Sequence, residues 1–451
     1  MDDGAGPRAS RIANLILAAG LLGGVALVVG PLLRWSHFGA YVAERWIVIG
    51  GASAVFHAAA LFGPKAWRST LAVVSVTLVA SAYLFEVAIA YDWIEPDAAQ
   101  DAEEAEWRAS VPNYDTRMKL EVLEDLRAAG QDAWPDIGQA TLFGGLDVDG
   151  RRLVPISGVA TATTVYCNES GQRTVYVADE HGFNNPRGLY DGAADVVIVG
   201  DSFAHGACVP EGEDVASQLR RRRPDLAVVN LGYGGAGPLT VLATLAEYTR
   251  RLKPRDVFWL YYSGNDLRDT QLELTSDVLT HYLEDIDFTQ NLWDARERFD
   301  PVLRAFIDAK EAERRAAGAY VPPPVPLGPT LKLQQVRRLF GLKPFPDPRG
   351  PFARAAAQTK ARVERWGGRL HFVYVWNWPH EPTGERYRKA EVLEIIRELD
   401  IPVIDTAAVL ADSTTQYYPS RFGGHLSPTG YGALAEAMAG ALPASEPGAS
   451  P

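Results

Sequence analysis

Four short segments of this 451-residue chain carry groups suited to covalent chemistry. They are Gly200-Asp201-Ser202-Phe203, Asn230-Leu231-Gly232-Tyr233-Gly234-Gly235, Gly264-Asn265-Asp266 and His425-Leu426-Ser427-Pro428. A serine hydroxyl is a weak nucleophile until a base takes its proton, and His425 is the natural base for Ser202. The oxygen of an attacked carbonyl gains negative charge. The N–H groups of Ser202 and Gly235 and the side-chain amide of Asn265 are suited to hold it, each such donor being worth about 2.7–4 kcal/mol in a transition state.

The first three segments sit where apolar runs end, and the fourth precedes the last helical stretch. VVIVG (196–200), LAVVN (226–230), VFWLYY (257–262), LHFVYVW (370–376) and IPVID (401–405) alternate with stretches that read as helices at 213–222, 239–252, 354–366, 386–399 and 428–441. Continuous Val/Ile/Phe-rich runs separated by helices predict a doubly wound parallel sheet, an α/β three-layer fold of flavodoxin-like type. Ligands in such folds bind beyond the carboxyl ends of the strands, where the four segments converge. Ser427 suits an N-cap and Pro428 the first helical position.

Residues 1–91 are different. Ile12–Leu33, Trp46–Pro64 and Ser69 to about Tyr91 are apolar runs near the roughly 20 residues that cross a bilayer core, the third broken only by Glu86. Arg8 and Arg11 precede the first run, and Lys65 and Arg68 separate the second from the third. Seven acidic residues, from Asp92 to Glu106, follow the third before Arg108. The positive-inside rule therefore puts the N-terminus in the cytoplasm and the bulk outside, despite Arg34 and Arg45 in the outer loop. Trp35, Trp46, Trp67 and Trp93 mark span ends. Glu86 is expected to snorkel to the outer interface, and His57 lies deeper.

The expected organisation is a three-span anchor (1–91), a juxtamembrane connector (92–150) and an extracytoplasmic α/β domain (151–445) with an insertion at about 267–352. The amphipathic LKLQQVRRLFGL (331–342) reads as an ordinary packed helix, the alternative being a segment lying on a membrane surface. A formal charge of −12 argues against a nucleic-acid partner. Cys167 and Cys208, the only cysteines, fall on the outer side, where one disulfide is expected to pin the segment Asp179–Pro186 near the nucleophile; the alternative is two buried thiols. No metal or other cofactor is expected, because His181, His371 and His380 lack ligand spacing to cysteines or carboxylates.

GDSF, the NLGYGG segment, SGND and GHLSPTGY together resemble the four blocks of the SGNH, or GDSL-type, serine hydrolases, in order, over about 195–441. DEHGFNNP (179–186) looks like the entry segment of envelope-associated members. The resemblance implies Ser202 as nucleophile and oxyanion donor, Gly235 and Asn265 as the other donors, and His425 as base. It implies a membrane-tethered esterase or deacetylase acting on O-acyl groups, with envelope glycans as the expected carrier. Two alternatives stand beside it: an O-acyltransferase working with a membrane acyl-donor partner, and a non-catalytic assembly protein.

One position departs from the family pattern. The aspartate usually found three residues before the histidine is replaced by Phe422, followed by Gly423 and Gly424. A backbone carbonyl turned by the glycine pair is expected to orient His425; the alternatives are that Asp405 or Asp412 reaches it from another loop, or that the enzyme is slow or inert. Two other features are decoys. Gly232–Gly237 spells GxGxxG, but Asp256 precedes the next strand instead of ending it. His205, three residues after Ser202, is expected to support the site or to be solvated, and not to act as base.

Overall fold

The computed structural model describes residues 7–35, 40–91, 98–316, 327–342, 347–376, 385–407, 410, 417 and 424–444. The chain forms two compact units: Met1–Ala102 with Ala317–Asp347, and Glu103–Ala316 with Pro348–Pro451.

The first unit is built on α1 (Pro7–Leu33), α2 (Ala40–Phe62) and α3 (Lys65–Ala90). All three are long and apolar enough to cross a membrane. A helix keeps every backbone hydrogen bond within itself, which is why uninterrupted apolar runs of this length become helices. α1 and α2 approach closely through small residues: a Cβ on Gly50 would lie 2.8 Å from the carbonyl of Gly24. His57 joins α2 to α3, its Nδ1 donating to the Ser53 carbonyl at 2.7 Å and its Nε2 facing Ser75 Oγ at 3.2 Å.

Glu86 corrects the snorkelling expectation. It is buried, and its carboxylate accepts the backbone N–H groups of Gln335 (3.0 Å) and Val336 (2.8 Å). Those donors belong to the first turn of helix Gln334–Leu339, so the 331–342 segment packs in this unit and not as a helix of the α/β layers. A carboxylate in apolar surroundings is costly unless hydrogen-bonded, and the helix start meets that need.

The second unit holds the doubly wound α/β fold. Its parallel strands are β1 (Val196–Gly200), β2 (Val228–Asn230), β3 (Asp256–Tyr262), β4 (Arg369–Val375) and β5 (Val403–Asp405), in the order β5-β4-β3-β1-β2. Alternation of side chains along β1 and β3 splits the core into two layers. Val197, Val199, Trp259 and Tyr261 pack with the helices Pro238–Leu252 and Arg349–Glu364. Val196, Ile198, Phe258 and Leu260 pack with Val215–Arg222 and Pro428–Ala441. Helix starts follow local chemistry: Asp214 accepts from Ala216 and Ser217 N–H, and Ser427 from Gly430 N–H, with Pro428 behind it.

A small sheet precedes β1. Ala133–Pro135 runs parallel to Thr163–Val165, which pairs antiparallel with Val175–Val177. The turn of that hairpin, residues 166–174, carries Cys167 and Glu169.

Candidate active site

Ser202 opens a four-residue helix, Ser202–His205, directly after β1. Asp201 caps it, accepting the Phe203 N–H at 2.9 Å. The turn from strand to helix lifts Ser202 to the sheet edge, where it is half-buried. His425 stands three residues before helix Pro428–Ala441, which packs against Val215–Arg222 on the same face as the serine helix. Its Nε2 lies 2.7 Å from Ser202 Oγ, within hydrogen-bond reach.

The other side of the imidazole holds a group that the sequence reading missed. Glu169 Oε1 is 2.8 Å from His425 Nδ1, and Oε2 accepts the His425 backbone N–H at 2.6 Å. The acceptor at Nδ1 is therefore a carboxylate, and the expected backbone carbonyl is corrected. Asp405 is engaged elsewhere, with Lys389 Nζ at 2.9 Å and the Ala407 N–H at 3.1 Å. Asp412, Phe422 and Gly423 lie outside the described residues.

Two features bring Glu169 into place. Cys167 and Cys208 are joined, with Cα atoms 5.1 Å apart, so the hairpin turn is bonded to the chain six residues beyond Ser202. Gly424 has φ +116°, and a Cβ there would collide with Glu169 Oε2. Glycine is needed for both the backbone angle and the space. The two sulfurs and the His425 ring lie within 4.8 Å of one another, but the sulfurs are bonded together and offer no thiolate to a metal.

The electrostatics follow from the pairing. Burial pulls the His425 pKa down, but the charge and hydrogen bond of Glu169 outweigh it and leave it above 6.5. Burial alone would raise Glu169, yet facing His425 holds it below 4.5. His205 is fully buried, stacked on Tyr166 with its Nε2 2.8 Å from Tyr176 Oη, and burial depresses it to about 3. Its protons are not offered to Ser202; it packs beneath the site.

Of the oxyanion candidates, Gly235 lies in the turn after β2 with φ +77°, and the carbonyl of Gly234 accepts the Gln139 N–H. Asn265 follows β3, and its Nδ2 donates to Asp269 at 2.6 Å, which fixes the amide plane. Asp266 accepts the Tyr262 N–H and is kept well above the usual carboxylate range by burial. Asp201 is raised to about 6 for the same reason.

The DEHGFNNP segment is a brace. Asp179 accepts from His181 N–H, Phe183 N–H, Asn185 Nδ2 and Tyr190 Oη. Asn184 donates to the carbonyl of His205, and Asn185 exchanges hydrogen bonds with the backbone of Asn230. The segment thus ties the serine helix to the end of β2. The disulfide pins the 166–174 turn, not this segment, to the loop that follows Ser202. A carboxylate two residues from Cys167 was the one available signal for Glu169.

No family model matches the chain, and no curated protein matches it. Among solved structures, the chain is similar over 55% of its length to a protein from Desulfitobacterium hafniense described as lipolytic and of the G-D-S-L family, covering 98% of that chain at 16% identity with a TM-score of 0.29. It is also similar over 57% of its length to an alpha/beta hydrolase enzyme from the metagenome of Lake Arreo, Spain, covering 100% of that chain at 13% identity with a TM-score of 0.32.

Proposed function

We propose that this protein is a membrane-tethered serine ester hydrolase working through Ser202, His425 and Glu169. One observation carries the reading: a hydroxyl, an imidazole and a carboxylate in hydrogen-bonded series, at 2.7 and 2.8 Å. Nε2 takes the proton as Oγ attacks the ester carbonyl, and the tetrahedral oxyanion is held by the N–H groups of Ser202 and Gly235 and the Asn265 amide. His425 returns its proton to the leaving alcohol, leaving an acyl-serine. Water, deprotonated by the same imidazole, releases the acid and restores Ser202. Glu169 holds the tautomer and balances the imidazolium charge, so the missing family aspartate does not argue for an inert site. The basic residues before α1 and between α2 and α3, the acidic run after α3 and the disulfide support an extracytoplasmic location. The substrate class is an O-acyl group, with envelope glycans as the leading source.

A fluorophosphonate probe on detergent-purified full-length protein tests the reading. Labelling at Ser202, abolished in Ser202→Ala, is expected, together with release of acetate from an acetylated glycan. An unlabelled protein of intact fold overturns the catalytic reading. Acetyl passing to an added sugar instead of water converts it to a transferase.

A further inference from the structure

The segment 327–342 contains Lys332, Arg337 and Arg338 and no acidic residue, and it leaves Leu331, Leu339 and Phe340 largely exposed, at 66, 45 and 55%. It is held against one end of the helical unit by specific bonds. Tyr83 Oη donates to the Leu331 carbonyl at 3.0 Å, Arg45 to that of Phe340 at 2.6 Å, and Trp46 Nε1 to that of Leu342 at 2.9 Å. Glu86 receives Gln335 and Val336, as described above.

These anchors lie within about 6–11 Å of the helix ends, Tyr83, seven residues before Ala90, being the deepest. Glu86 lies four residues before Ala90, the last of α3, about 6 Å along the axis, and Arg45 and Trp46 lie five and six residues into α2, about 8–9 Å. Helices of 23 and 26 residues, about 35 and 39 Å long, extend only about 2–5 Å beyond each side of a hydrocarbon core of about 30 Å, so the anchors lie a few ångströms on the acyl-chain side of the boundary with the headgroups. By the charge asymmetry these are the outer ends. Exposed leucine and phenylalanine side chains beside a cluster of cations suit that boundary, with apolar groups among acyl chains and guanidinium or ammonium groups among phosphates.

We infer that residues 327–342 form an interfacial element of the outer leaflet that takes acidic phospholipid headgroups through Lys332, Arg337 and Arg338, with Glu86 as its lock. This rests on the reading that α1–α3 span the membrane. The chain leaves the α/β unit after Ala316 and re-enters it at Pro348, so the element is a second covalent attachment of that unit to the membrane.

The test uses the full chain in nanodiscs, with an environment-sensitive fluorophore on Phe340→Cys and, separately, on Val74→Cys within α3. Quenching by headgroup-proximal spin-labelled lipid is expected at 340, and by deep-labelled lipid at 74. At 340, spin-labelled phosphatidylglycerol should quench at least about twofold better than phosphatidylcholine, a preference lost in Lys332→Gln/Arg337→Gln/Arg338→Gln. Glu86→Ala should shift the emission at 340 towards that of a water-exposed probe. Quenching at 74 without quenching at 340, or equal quenching by the two lipids, overturns the inference and leaves the spanning reading intact. Failure at both positions overturns both.

Discussion

Glu169 and His425 are 256 residues apart in sequence, and their side chains form a two-point contact: one carboxylate oxygen on Nδ1, the other on the backbone N–H. Both ring orientation and tautomer are thereby set by one side chain. Loss of the triad acid costs about 10⁴-fold in one protease, which sets the scale here. Glu169→Gln is expected to lower kcat by 10³–10⁴-fold on that scale. Asp405→Asn should change it less than about twofold, because its carboxylate serves Lys389 and a local turn. Steady-state hydrolysis of an activated acetate ester by the two variants decides between them.

The pH profile carries the sign of the His425 shift. The imidazole must be neutral to act as base, and Glu169 holds its pKa above 6.5. Activity should therefore fall as pH drops through a value above 6.5, not below it. In Glu169→Gln the charge of Glu169, the larger of the raising influences, is gone, while burial and the smaller raising field of Asp201 remain, so the acidic limb should move to lower pH. An unmoved limb in a kcat/KM titration would detach Glu169 from the imidazole.

Reduction should act through position. Cys167 is two residues from Glu169, and Cys208 Sγ lies 3.4 Å from His425 Nδ1. Cys208→Ser, or full reduction, is expected to lower activity at least tenfold and to cost about 2–4 kcal/mol of stability, given a sequence separation of 41 residues. Activity assayed below the melting transition separates the two effects, and reoxidation should restore the reduced wild type.

Gly424→Ala tests the space made for the carboxylate. A φ of +116° costs a side-chain-bearing residue about 1–3 kcal/mol, and the added methyl would displace Glu169. Activity should fall at least tenfold while the thermal transition moves only a few degrees. Full activity in this variant would contradict the geometry.

Membrane orientation has its own check. Fused after residue 110, a reporter that works only outside the cytoplasm should be active and one that works only in the cytoplasm should be silent, following the acidic flank after α3 and the basic one before α1; the reverse result overturns the orientation.

The α/β layers and the three long apolar helices were legible because each is written as a local run of apolar residues. VVIVG, VFWLYY and LHFVYVW are apolar along their whole length, and a strand covered on both faces demands that. Ser202 and His425 were legible because each sits at a strand end or helix start whose local chemistry is written in its neighbours. The acid was not, and neither was the partner of Glu86. Glu169 and Glu86 are single carboxylates with no pattern around them. Their roles depend on which distant backbone comes within 3 Å: a glycine turn with room for Glu169 Oε2, and a helix start with two N–H groups to satisfy. Such contacts belong to the packing of the folded chain. A hydrogen bond between residues hundreds of positions apart leaves no pattern in the sequence, so the elements and the candidate pair Ser202 and His425 could be read from neighbouring residues, while what holds the His425 ring and what holds residues 327–342 emerged only from the packing of the folded chain.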